Sequence, residues 1–341
     1  MAKTALVISG GGSKGAFAVG VLKYMHERVR PIDQFDVYCG TSTGALIVPL
    51  ALCGEIALLE TVYTTLTQNE LLKLGSAANL ALAVSLHDAT PLKNKIDELL
   101  TDARYQRIKG AGAALFLATV CLQTEQLVYW ATKVPAAASA NYDVQAIGSA
   151  TDLRRAMLAS ACQPVFMQPV EVRPGAVPVR QYADGGVREP TPLQAAIDAG
   201  AETIVAITMA PRQLPADNKK LTQAFGILQR TLDLYGEDVG DNDFRLAELY
   251  QRGNAYLRAV RSQLLAQGVA PAAVQAAFGQ AGNPFAGTAI ATIHEIRPQA
   301  KLTEGGSGGL TFDPTAMRGM LTKGFAQAKA YFEARPGGLL A

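Results

Sequence analysis

"LVISGGGSKGAFAVGVLKYM", Leu6–Met25, decides the fold. Its opening apolar run, Ala5–Ser9, has the length of a buried strand; Gly10–Gly12 makes a turn, and Lys14 to about Val29 carries a broad apolar face at helical spacing through Ala16, Val19, Val21, Leu22 and Met25. Pro31 ends that helix, and "FDVYCG", Phe35–Gly40, supplies a second strand. Strand, helix and strand within some forty residues make a βαβ unit, with a right-handed connection and parallel strands.

A glycine-rich turn between strand and helix usually holds an anion. Gly10, Gly12 and Gly15 satisfy G-x-G-x-x-G, and Asp33 or Asp36 lies near the offset of a ribose-binding carboxylate, so a dinucleotide-dependent oxidoreductase is one reading. A Walker loop is not, because no G-K-[ST] closes the turn.

The second strand runs into "GTSTG", Gly40–Gly44, a G-x-S-x-G pattern between strand and helix, which is the setting of a nucleophile elbow. Parallel neighbouring strands put Ser42 and the glycine loop on one edge of the sheet. Amides of Gly11, Gly12 and Ser13 then have a second use, as donors to an oxyanion on the carbon that Ser42 attacks. A dinucleotide reading leaves Gly40–Gly44 without a role.

Further on, "YADGGVREPTP", Tyr182–Pro192, ends a strand on an aspartate followed by Gly185 and Gly186. Asp184 is the candidate base for Ser42. The chain has three histidines, His26, His87 and His294. His294 has the chain order of a Ser…Asp…His triad, but it sits inside a strand pattern rather than in a loop after one. A Ser–Asp dyad needs no histidine if the acyl intermediate is well stabilised.

Three motifs in this order, "GGGSKG", "GTSTG" and "DGG", resemble the patatin-like phospholipase family. "ASACQPVFMQP", Ala159–Pro169, is similar to the family segment before the aspartate strand, and the final strand and helix are similar too. The likeness covers most of residues 5–200 and the C-terminal tail; it is weakest over 55–105 and 213–289. It implies a three-layer α/β fold around a mainly parallel sheet. Ser42 is the implied nucleophile and Asp184 the base. Gly10, Gly11, Gly12 and the neighbouring Ser13 amide form the implied oxyanion hole. Lys14 and Gly15 support the loop, as Gly40, Gly44, Gly185 and Gly186 support the two turns. Such proteins hydrolyse acyl esters of phospholipids, lysophospholipids or neutral lipids, without a cofactor or a metal for the acyl chemistry. An acyltransferase on the same serine remains an alternative.

The rest of the chain bounds this reading. Its 341 residues form one expected domain, with a helical insertion at about 55–105 and a variable helical region at about 213–289. Hydrophobic residues are 49% and net charge is +2, with no block of like charge, so nucleic acid is not an expected partner. Oligomeric state is not legible. Cys39, Cys53, Cys121 and Cys162 lack metal-site spacing and read as buried thiols in a reducing compartment. The N-terminal apolar run is too short for a signal peptide, and no window spans a membrane; a cytoplasmic protein with peripheral membrane contact is expected. Ser76–Leu86 reads first as a core helix, and is also apolar enough to line an acyl pocket or touch lipid.

Strands are also expected at Ala113–Leu122, Glu125–Thr132 (a hairpin) and Thr203–Thr208. Val170–Gly186 reads as strand, loop, strand and turn, and Thr288–Pro298 as the last strand. Helices are expected from a Thr151 cap to Pro164, over 192–200, over Leu221–Gln267 and at the C-terminus.

Overall fold

The computed structural model describes residues 2–75, 84–135, 139, 141–212, 220, 222, 224–279, 283, 291–303 and 309–335. The strands are β1 (Thr4–Ile8), β2 (Val37–Thr41), β3 (Lys73–Leu74), β4 (His87–Asp88), β5 (Ala114–Cys121), β6 (Gln126–Ala131), β7 (Asp143–Ala146), β8 (Tyr182–Asp184), β9 (Thr203–Ile207) and β10 (Thr292–Ile296). The helices are α1 (Gly15–Arg28), α2 (Thr43–Leu52), α3 (Ile56–Thr65), α4 (Gln68–Leu71), α5 (Thr90–Leu99), α6 (Asp102–Gly110), α7 (Ala150–Ala161), α8 (Leu193–Asp198), α9 (Ala224–Ala266), α10 (Pro271–Phe278) and α11 (Pro314–Glu333).

The main sheet runs β10-β9-β1-β2-β5-β6-β7, with β8 added to β5. From β10 to β5 all neighbours are parallel, as helical crossovers between successive strands require. The expected β5–β6 hairpin is antiparallel, and β7 then pairs parallel to β6.

Alternation along the strands divides the core in two. Leu6, Ile8, Leu115, Leu117, Val205 and Ile207 face a large cluster with residues of α1, α2, α3, α5, α7 and α11. Ala5, Val7, Val37, Cys39, Phe116, Ile204 and Ala206 face a smaller one with α8, Tyr129 and Phe244 of α9. Strands covered on both faces are apolar at nearly every position, which is why their runs stand out in the sequence. The three-layer α/β arrangement is the one expected.

Several boundaries differ from expectation. α7 is capped by Ser149, whose Oγ accepts from the Asp152 amide at 3.0 Å, not by Thr151. The strand expected at Val170 is a single bridge to Tyr182. β7 and α10 lie where no element was expected, because "DVQA" has no apolar run and "PAAVQAAF" is built of small residues. Residues 76–83 of the apolar tract lie outside the described residues. Among the described residues no helix is long and apolar enough to cross a membrane, and all four cysteines are buried free thiols.

Candidate functional site

β2 ends beside β1, with Gly40 opposite Ile8, and the chain turns at Ser42 into α2. Ser42 has φ 55° and ψ −121°, a strained backbone for a side chain with a Cβ. The turn is this sharp because two glycines admit other backbone. A Cβ on Gly44 would lie 2.1 Å from the Ile8 carbonyl oxygen, and one on Gly40 would lie 2.5 Å from Gly44. The elbow is also tied from below: the Ser42 amide donates to Ser160 Oγ at 3.0 Å, and the Ser160 hydroxyl donates to the Ala118 carbonyl at 2.6 Å. Ser160 sits within Ala159–Pro169, but nothing local singles it out, since its partners lie on β5 and at the turn after β2. Ser160→Ala leaves a buried amide and carbonyl short of partners. A loss of about 2 kcal/mol in urea denaturation is expected, and an unchanged midpoint would contradict this role.

Asp184 reaches Ser42 through β5. On the β2 side of β5, Thr41 pairs with Ala118 in parallel register; the next residue, Thr119, pairs with Asp184 in antiparallel register. β8 thus fills the slot beyond the end of β2 and runs toward it, so two strands far apart in sequence meet tip to tip. The Asp184 carboxyl is buried, takes a 2.7 Å hydrogen bond from the Gly186 amide and a further one from the Ser42 side chain. Burial pushes its pKa up from 3.8 to about 6, against the pull of those two bonds. It is therefore ionised at neutral pH and close enough to neutrality to take a proton.

The glycine loop lies on the same edge. Not all of its amides point at the site. The Gly10 amide donates to the Pro190 carbonyl at 3.0 Å and the Ser13 amide to the Gly309 carbonyl at 2.7 Å. Both are thereby removed from the expected set of oxyanion donors, because each N–H is already engaged. The Gly11 and Gly12 amides have no partner among the described residues. Gly12 has φ +57°, and a Cβ there would lie 2.2 Å from the Gly309 oxygen, so two backbones touch directly. Gly309 and Pro190, rather than the Lys14 side chain, brace the loop. The Lys14 ammonium has no hydrogen bond or ion pair among the described residues, and its side chain lines the cavity beside Ser42.

That cavity has a volume of about 700 Å³. One part is apolar, walled by Leu46, Leu50, Leu92, Ile96, Met157 and Phe312; another is polar, with Arg212, Asp241 and Arg297. Ser42, Asp184 and Gly10–Gly12 line it together. None of the three histidines does. His294 Nδ1 is 3.1 Å from the Tyr331 hydroxyl, His87 Nδ1 accepts from Gly75, and His26 Nδ1 accepts from Ile32.

The dinucleotide reading loses its carboxylate. Asp36 precedes β2 and accepts from the Thr4 amide at 2.7 Å, at the strand end opposite the glycine loop. The place at the carboxyl end of β2, where a ribose-binding acid belongs, is held by Ser42.

The sequence model of the family described as patatin-like phospholipase matches residues 6–197, more than half of the chain. An uncharacterized protein of Escherichia coli strain K12, YjjU, is similar at 28% identity over 217 residues, 62% of this chain. The match spans 53% of that relative's length. Among solved structures, VipD from Legionella pneumophila is similar with a TM-score of 0.49 and 12% identity, over 98% of this chain and 67% of that one.

Proposed function

Because the chain belongs to the patatin-like phospholipase family, we propose that it hydrolyses acyl esters of lipids, with Ser42 as nucleophile and Asp184 as its base. The observation that carries this is the meeting of β8 with the end of β2. A buried, hydrogen-bonded carboxylate beside a strained serine, at a cavity with an apolar wall, supports the reading.

The steps follow from the atoms present. Asp184 takes the proton as Ser42 Oγ attacks the ester carbonyl. Charge develops on the carbonyl oxygen, where the Gly11 and Gly12 amides each contribute about 3 kcal/mol if they are aligned on it. Asp184 returns its proton to the departing alcohol. Water, activated by the same carboxylate, then releases the acyl group from Ser42. The apolar part of the cavity suits an acyl chain, and the charged part suits the alcohol side of the ester.

Ester hydrolysis tests the reading. Wild type is expected to cleave a p-nitrophenyl ester with an acid limb in kcat/KM near pH 6, the pKa of Asp184. Ser42→Ala is expected to lose that activity. Undiminished hydrolysis by Ser42→Ala would refute the assignment.

Delivery from a lipid surface is part of the proposal. Val187 and Tyr235 line the cavity yet are 54% and 67% exposed, so apolar groups stand at its rim. Val187→Asp with Tyr235→Asp is expected to lower turnover of vesicle lipid about tenfold while sparing a soluble short-chain ester. Equal loss on both substrates would argue against surface delivery.

A further inference from the structure

Beside the smaller core cluster lies a buried carboxyl that the chemistry above does not use. Glu189 is 6% exposed and is not among the residues lining the cavity. Its Oε2 accepts from the Tyr129 hydroxyl of β6, within the smaller core cluster. Its Oε1 takes a longer bond, 3.4 Å, from the Gln194 amide of α8.

The backbone around it joins the three motifs. The Thr41 hydroxyl, one residue before Ser42, donates to the Glu189 carbonyl at 2.9 Å. The Gly10 amide donates to the next carbonyl, Pro190, at 3.0 Å. The Glu189 amide donates back to Gly185 at 2.8 Å, closing the turn that begins at Asp184. One short loop therefore contacts the serine strand, the glycine loop and the aspartate turn, and the Glu189 side chain ties it to β6.

We propose that Glu189 is a positioning residue for the hydrolysis, its carboxyl clamping to Tyr129 the loop that holds Ser42, Asp184 and the glycine loop in one register. The inference rests on the dyad reading above.

Its surroundings favour the neutral carboxyl. Asp243 of α9 and Asp198 of α8 place negative charge near it, and Cys39 of β2, Tyr129 and Tyr142 are the other titratable neighbours. Arg188 is turned away to the Glu125 carbonyl, and Arg297 is taken up by Glu295 and Asp241. Burial, more than those charges, pushes Glu189 up to about 8, and burial pushes Asp243 up to about 7. Asp243 Oδ2 is buried without a partner among the described residues. As pH rises through about 8, Glu189 gains a desolvated charge beside these acids; the Tyr129 bond favours that charge, but burial outweighs it, so the anchored loop is held at a growing cost.

The test is the pH profile of p-nitrophenyl ester hydrolysis by wild type, Glu189→Gln and Glu189→Ala, with fluorophosphonate labelling of each. Wild type is expected to show an alkaline limb near pH 8. Glu189→Gln keeps a neutral acceptor for Tyr129; it is expected to retain kcat within about threefold at neutral pH and to move that limb up by about one pH unit or abolish it. Glu189→Ala is expected to lose about 10²-fold in kcat with KM little changed. An alkaline limb unmoved in Glu189→Gln overturns the proposal even if Glu189→Ala fails to fold. So does a folded Glu189→Ala with wild-type kcat. If wild type takes no label at Ser42, the dyad reading itself has failed; if all three label and turn over alike, only the role of Glu189 has.

Discussion

Asp184→Asn is expected to lower ester hydrolysis by about 10³- to 10⁴-fold and at the same time to make the protein more stable near pH 7.5. The first effect follows from losing the proton acceptor of Ser42. The second follows from the sign of the pKa shift. Asp184 titrates near 6 when folded against 3.8 ordinarily, because its ionised form is desolvated. A carboxyl shifted upward holds its proton more tightly in the folded state. Its cost is absent below about pH 4, grows as pH rises through 6, and is complete above that. An asparagine never bears it. The gap between 3.8 and about 6 corresponds to about 3 kcal/mol. Thermal melts across pH 4 to 8 check this: the variant should gain on wild type as pH rises and match it at the acid end. A difference independent of pH would mean that Asp184 is not a desolvated carboxylate.

Gly44→Ala is the most damaging small substitution expected. The added methyl would lie 2.1 Å from the Ile8 oxygen, 2.8 Å from its carbonyl carbon and 3.0 Å from the Ser9 oxygen, all backbone atoms of β1 and its exit. No side chain can rotate to make room, so α2 must lift off the sheet. A cost above about 3 kcal/mol is expected in urea denaturation, together with loss of ester hydrolysis. Gly110→Ala is the control. It ends α6 with nothing within 4 Å of a Cβ, and should be neutral or stabilising by a few tenths to about 1 kcal/mol. Equal behaviour of the two variants would contradict the packing described for the elbow.

The contrast between those glycines shows how far local sequence reaches. The β1–α1–β2 unit was legible because doubly buried strands give unbroken apolar runs, and because Gly10–Gly12 and Gly40–Gly44 interrupt them where the chain must turn. β7 was not, since an edge strand of Asp143–Ala146 needs no apolar run to pair with β6. The elbow and the Asp-Gly-Gly turn were also readable as patterns. Their meeting depends on successive residues of β5, Ala118 and Thr119, which carry no signal of it.

The amides of the glycine loop show the limit most sharply. Gly10, Gly11, Gly12 and Ser13 look equivalent in sequence. Two of them are engaged by Pro190 and Gly309, residues remote in the chain, and two are left. Ser160 and Glu189 carry no local signal for the same reason: Ser160 acts through the Ser42 amide and the Ala118 carbonyl, and Glu189 through the Tyr129 hydroxyl, all remote in sequence.

The most direct measurement is peptide mapping by mass spectrometry after reaction of the folded protein with a fluorophosphonate, which forms a stable adduct with an activated serine. One adduct, on Ser42, formed rapidly in wild type and far more slowly in Asp184→Asn, is the predicted result. An adduct on another serine, or equal labelling of Ser42 in both proteins, would contradict the dyad.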